Sequence, residues 1–362
     1  MIGTWVLYIP HMKEKLALDD GQLGVALFFY ALGTFLSIPT VPYLTKKYGV
    51  GRCTGIGVVL FAISFIFPIQ SSTYIWLCAA LLVTGVLSGF TDVAMNALVT
   101  EVEKEDKVNF MSAAHGFFSL GGVIGAGVGG LLLTVYQIPL WHLVSASAFV
   151  ILTNLWLMKH YIHQRSEDAE KHSTTFSVKQ ITPLLGLAFI AMIIMGSEGA
   201  IEHWSKLFLM DVVQAPTDKL AGYGFIAFSA MMTLGRFLGD AISERIGSYN
   251  IIVYGTALGV LGYLLILTVT LSYSIVGFGV IGLGFSVIIP ELFRISGNVK
   301  GISSSAAISF VTGVGFMGFL MGPVILGFIS KASSLRMSFL TLCVLAVISM
   351  LMSVKMKVQN RS

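Results

Sequence analysis

Charge is scarce in this sequence. Asp, Glu, Lys and Arg make up 11% of its 362 residues, whereas a soluble domain carries roughly a quarter. That shortage excludes an ordinary water-soluble globular domain and points to a chain whose main solvent is lipid. Cysteine is scarce too. Cys53, Cys78 and Cys343 sit singly inside apolar runs, so the spacing implies neither a disulfide framework nor a metal site. No Walker-type phosphate loop occurs, which leaves ATP unsupported as an energy source. No nucleophile–base motif or metal-ligand cluster is visible, so the reading is of a non-enzyme without cofactor or metal. The net charge of +4 is too small to suggest nucleic acid. The first residues lack the basic stretch of a cleavable signal peptide.

What fills the chain instead is apolar sequence, 56% hydrophobic residues in all. A run of about 18 or more such residues can cross the hydrocarbon as a helix. Runs of that kind cover 21–44, 51–69, 74–100, 109–135, 139–160, 182–210, 221–243, 249–270, 272–292, 303–329 and 336–356, giving eleven full spans. The opening "MIGTWVLYIP" reads as part of a further helix. Its ten residues rise only about 1.5 Å each and fall short of a bilayer about 30 Å thick. A truncated first helix is therefore expected, with twelve helices once it is restored. Lys46, Lys47, Arg52, Lys104, Lys107, Arg294 and Lys300, with the 159–180 segment and the basic tail, share one side of the membrane. The positive-inside rule makes that side cytoplasmic and places the C-terminus there.

One long polar stretch, "KHYIHQRSEDAEKHSTTFSVKQ" at 159–180, divides the chain. The expected organisation is an N-terminal bundle at 1–160, a cytoplasmic linker at 161–180 and a C-terminal bundle at 181–362. The two halves repeat one another. "SAAHGFFSLGGVIGAGVGG" (112–130) aligns without a gap on "SAAISFVTGVGFMGFLMGP" (305–323), pairing Gly122, Gly125 and Gly129 with Gly315, Gly318 and Gly322. "LTKKYG", ending at Gly49, corresponds to "ISERIG", ending at Gly247. Parallel repeats of this kind are a transporter architecture. Small residues every four positions also let helix backbones approach closely.

Ionisable groups inside the spans are expensive and mark functional positions by default. Asp92 and Asn96 stand four apart on the fourth span and share a face. Asp92 and His115 lie on either side of one loop, both roughly 12–14 Å from the membrane surface at 1.5 Å per residue. A carboxylate and an imidazole at one depth could share a proton, or form a buried structural hydrogen bond. On the seventh span Glu198 and Glu202 are again four apart, in "GSEGAIEHWSKLF", with Trp204 beside them. Glu198 is the candidate for solute and proton binding, whereas Glu202, His203 and Lys206 read as marking the outer interface. Trp5 reads equally as a stacking platform for a sugar-like ring or as an interfacial belt residue. Arg236, Asp240, Glu244 and Arg245 close the eighth span and read as a cytoplasmic gate. Glu291, at the repeat position of Asn96, joins that gate with Arg294.

The motifs "DVAMNA" with Glu101, "MSAAHGFFSLGG" and "EGAIEHWS" resemble those of major facilitator superfamily permeases. More narrowly, they are similar to the MosC/YbjJ-like group, distantly related to fucose permeases. The loop after the second span departs from the superfamily pattern, since Pro42 and Lys46 replace its usual Gly and Asp. The resemblance implies an all-α membrane protein of two six-helix bundles related by a pseudo-two-fold axis, with the first helix truncated. It implies that the first, fourth, seventh and tenth helices line a cavity, which gives Trp5, Asp92, Asn96, Glu198 and Trp204 as solute residues, with His115 added from the fifth helix as the partner of Asp92. For Asp92, His115 and Glu198 it implies proton coupling. The expected function is secondary transport of a sugar, inositol or amino-sugar-like solute in the bacterial cytoplasmic membrane. The expected partners are that solute, protons and the bilayer, with the chain a monomer. Two alternatives stand beside it. One is a proton-antiporting exporter of drugs or metabolites, suggested by "GGVIGAGVGG". The other is a non-transporting sensor or inactive remnant.

Overall fold

The computed structural model describes residues 1–106, 111–133, 135–136, 138–165, 182–299 and 304–359. Among them the regular structure is helical throughout, in two compact units, Met1–Lys171 and His172–Ser362. The first unit contains α1 (Ile2–Val6), α2 (Ile9–Lys15), α3 (Asp20–Ser37), α4 (Val41–Tyr48), α5 (Val50–Ser64), α6 (Ile66–Gln70), α7 (Tyr74–Asp106), α8 (Met111–Leu132) and α9 (Pro139–Met158). The second contains α10 (Leu185–Leu207), α11 (Asp218–Ile246), α12 (Ser248–Leu267), α13 (Leu271–Phe285), α14 (Ile288–Gly297), α15 (Ser304–Ala332) and α16 (Leu335–Gln359).

Among the described residues, nine helical stretches are long and apolar enough to cross a membrane. The two other expected spans are helical as well. Of α8, only the shorter stretch Gly116–Leu132 counts as apolar helix among the described residues. Helix α11 is long but carries Arg236 mid-way and charged residues at both ends. The opening segment is broken into α1 and α2. Pro10 lacks an N–H and its ring would clash with the Val6 carbonyl, so the helix restarts at Ile9.

Local chemistry sets the helix ends. Asp19 accepts from the Gln22 backbone N–H at 2.8 Å, and the Gln22 side chain accepts from the Asp19 N–H at 3.1 Å. This capping box starts α3 by satisfying two otherwise orphaned donors. Gly49 and Gly247, the two ends of the repeated hexapeptide, join α4 to α5 and α11 to α12 with φ of 91° and 79°. A side chain there would be strained, and glycine is not. The repeat seen in sequence is thus repeated in backbone geometry.

Glycine seams hold the helices together. A Cβ on Gly85 would lie 1.8 Å from the Tyr30 carbonyl oxygen, and one on Gly33 would lie 2.2 Å from that of Leu82. Helices α3 and α7 are therefore in backbone contact. Their counterparts α11 and α13 behave alike, with Gly282 against the Phe228 carbonyl at 2.1 Å. The aligned glycines of the long repeat also serve equivalent pairs. In the first unit the Gly122 carbonyl lies 2.3 Å from where Gly3 would carry Cβ, and Gly125 faces Thr4, so α1 lies on α8. In the second unit Gly318 and Gly322 meet the carbonyls of Met192 and Gly196 at 1.9 and 2.4 Å, so α15 lies on α10. Gly121, Gly127 and Gly130 have open space instead, so only part of the "GGVIGAGVGG" run packs. Within α15, Pro323 removes one rung of the helix. The carbonyl it leaves, that of Phe319, faces Gly199 at 3.0 Å from a Cβ position.

Candidate functional site

In the first unit, Asp92 and Asn96 lie one and two turns beyond Gly89, the last glycine of the seam that docks α7 on α3. At 3.6 residues per turn, Gly85, Gly89, Asp92 and Asn96 fall on one stripe. Gly89 faces Thr34 and Ser37 near the end of α3, and α3 stops at Ser37. Asp92 and Asn96 are both half-buried. The Asn96 carbonyl accepts from Thr100 Oγ1 at 3.0 Å. The side chain of His115 lies outside the described residues, and so does its expected pairing with Asp92.

In the second unit, Glu198 occupies the middle of α10. Its Oε2 lies 3.9 Å from Arg236 Nη2 on α11, with the two side chains 18% and 28% exposed. This corrects one expectation. Arg236 does not join the C-terminal end of α11, because it stands ten residues before that helix ends and is paired with Glu198 on α10. Glu202 also acts electrostatically on Glu198. The other Glu198 oxygen, Oε1, is buried without a hydrogen-bond partner. At that distance the two side chains form an ion pair without a direct hydrogen bond.

At the C-terminal end of α11, Ser243 joins Glu291 and Arg294 of the expected gate. Glu291 on α14 is 2% exposed. Its Oε1 accepts from Ser243 Oγ at 2.7 Å and lies 3.3 Å from Arg294 Nη1. Arg294 also donates to Ser243, so one serine bridges the carboxylate and the guanidinium. Arg245 is exposed. The side chains of Asp240 and Glu244 lie outside the described residues.

Three aromatic and interfacial expectations are corrected. Trp204 is completely buried, because α10 is covered by α11, α15 and α16; no ring face is open to a solute in this conformation. Trp5 is buried too, with its ring centroid 6.4 Å from that of Phe65. It is neither a platform nor a belt residue here. His203 and Lys206 turn inward and are buried rather than marking an interface. His203 Nδ1 lies 2.7 Å from the Gly199 carbonyl, and Lys206 Nζ lies 3.4 Å from Asp218 Oδ2 at the start of α11. Sequence reading also missed a buried pair in the first unit. Tyr8 Oη and His142 Nδ1 share a hydrogen bond at 2.7 Å, and Tyr136 stacks on the imidazole at 5.4 Å.

Among the described residues no group of three or more His, Cys, Asp or Glu side chains is placed to hold a metal. Intramembrane charge pairs on helices that repeat across two units are a transporter's chemistry, and comparison with known proteins agrees. The Major Facilitator Superfamily profile matches residues 1–302. The chain is 30% identical over 339 residues to an uncharacterized MFS-type transporter of Yersinia pestis, covering 93% of this chain and 87% of that one. It is 27% identical over 354 residues to the membrane protein MosC of Rhizobium meliloti, covering 96% and 84%. Among solved structures, the nucleoside transporter NupG superimposes with a TM-score of 0.74 at 14% identity, covering 97% and 96%. That likeness is one of fold. By its family profile and its relatives, this multi-pass membrane protein belongs to the major facilitator superfamily of transporters.

Proposed function

We propose that this chain is a secondary active transporter of a small polar organic solute, of the sugar, inositol or amino-sugar kind. In this reading protons drive it, and two six-helix bundles alternate access to the solute. The observation that supports this most is the Glu198–Arg236 ion pair. A carboxylate and a guanidinium inside membrane-spanning helices are costly unless used. A proton on Glu198 would weaken its attraction for Arg236, and a solute hydroxyl would then hydrogen-bond to either side chain. In the first bundle Asp92 and Asn96 supply further hydroxyl partners, with Asp92 and His115 as the second proton-handling pair. The Glu291–Ser243–Arg294 group acts as the cytoplasmic latch. The protein works as a monomer in the bacterial cytoplasmic membrane, with its C-terminus inside.

The test is transport in proteoliposomes with an imposed pH gradient. The panel covers sugars, inositols and amino-sugars, with nucleosides added because NupG shares the fold. Accumulation should require a gradient directed inward with the solute. Glu198→Gln should abolish that accumulation and leave solute exchange measurable. Movement against the proton gradient would establish the exporter instead. Absence of any flux in both directions would overturn the transport reading for this chain.

A further inference from the structure

Two membrane-spanning helices of the first unit, α5 and α9, meet along one seam. Asn154 Nδ2 donates to the Gly55 carbonyl at 3.1 Å, and a Cβ on Gly55 would lie 2.5 Å from Met158 Cε. Beyond α9 the chain keeps to the same line. The Tyr161 carbonyl faces Gly51, and Arg165 Cγ lies 3.4 Å from where Gly49 would carry Cβ. Rising numbers on α9 meet falling numbers on α5, so the two run in opposite directions. In an antiparallel pair, the residue after each seam contact turns about 100° to the same flank. On α5 that flank carries Arg52 and Ile56; on the α9 side it carries Leu155, Lys159 and Ile162. All five are exposed.

The flank is therefore an apolar strip with cations at one end. Exposed Arg165 joins Arg52 and Lys159 there, beside Gly49. Among the described residues none of the three forms an ion pair. Glu105 is engaged with Gln164 Nε2 instead. The second unit does not repeat the arrangement. Counting from Gly247 as from Gly49, Asn250 stands where Arg52 does, and its amide donates to the Ile246 carbonyl at 2.6 Å. Lys357, near the end of α16, is set over the Tyr254 ring at 5.9 Å.

We propose that this flank of the α5–α9 seam binds an anionic phospholipid. Its phosphodiester is held by Arg52, Lys159 and Arg165, and its acyl chains lie along Ile56 and Leu155. Basic clusters at the ends of spans attract anionic headgroups. A zwitterionic headgroup brings its own ammonium, which the same cations repel, so net negative charge is selected. The proposal concerns the lipid next to the protein and does not depend on what the chain transports.

Native mass spectrometry tests it, with the full chain released from micelles doped with equal amounts of dioleoylphosphatidylglycerol and dioleoylphosphatidylcholine. Phosphatidylglycerol should be retained in preference to phosphatidylcholine. Arg52→Gln or Lys159→Gln should weaken that retention about fivefold, and the double variant about thirtyfold. Lys355→Gln removes an exposed charge from the second unit and should leave retention unchanged. Equal retention of the two lipids by the unaltered protein overturns the proposal, whether or not any variant folds. A loss with Lys355→Gln as large as with Arg52→Gln overturns it too, because the attraction would then belong to the general charge of the surface.

Discussion

A side-chain carbon on Gly318 would stand 1.9 Å from the carbonyl oxygen of Met192. Neither atom can yield alone, since both belong to helix backbones. Gly318→Ala should therefore force α15 off α10, at a cost of at least about 1–3 kcal/mol. Gly313 on the same helix has nothing within 4 Å of its Cβ position. Gly313→Ala should be neutral or slightly stabilising, because alanine favours a helix over glycine by about 1 kcal/mol. The monodisperse fraction and melting temperature in detergent measure both. Equal behaviour of the two variants would refute the seam.

Removing one member of the Glu198–Arg236 pair leaves the other charge inside the bundle. Loss of one partner from a fully buried pair costs about 3–5 kcal/mol. These side chains keep some exposure, so roughly 1–3 kcal/mol is expected for Arg236→Gln. Adding Glu198→Gln should recover part of the loss. A double variant less stable than either single one would show that the two groups do not act as a pair.

If Asp92 handles protons, Asp92→Asn should abolish accumulation driven by a pH gradient while exchange of labelled solute persists. Equal loss of both activities would mark Asp92 as a packing residue.

The Ser243 hydroxyl donates to Glu291 and accepts from Arg294. Ser243→Ala leaves the Glu291 carboxylate short of a donor in a buried site, and about 1–3 kcal/mol of stability should be lost. Ser243→Thr retains the hydroxyl and should restore most of it. Melting temperatures of the two variants compare them directly.

Fold class was legible because it rests on long apolar runs and on an ungapped internal repeat, both written along the chain. Gly49 and Gly247 could be matched by eye, and the backbone made them equivalent turns. The partners of individual side chains were not legible in this way. Periodicity gives the stripe on which Arg236 lies but not the rotation of α11 within the bundle, so its contact with Glu198 could not be read. Lys206 misled for a related reason. A cation near a helix end normally suits an interface, yet this one is buried and turned to Asp218 at the start of α11.

Pro323 also has a mechanical consequence. A helix that lacks one rung bends there at little cost, and α15 lacks its rung next to Gly322, where it is interlocked with α10. The stretch up to Gly322 is pinned to its neighbour by backbone contact. Beyond this elbow, Pro323–Ala332 is tied to α16, whose Ser338 Oγ donates to the Leu326 carbonyl at 2.8 Å, so a shift of α16 would turn the end of α15 about a fixed fulcrum while the joint with α10 stays closed.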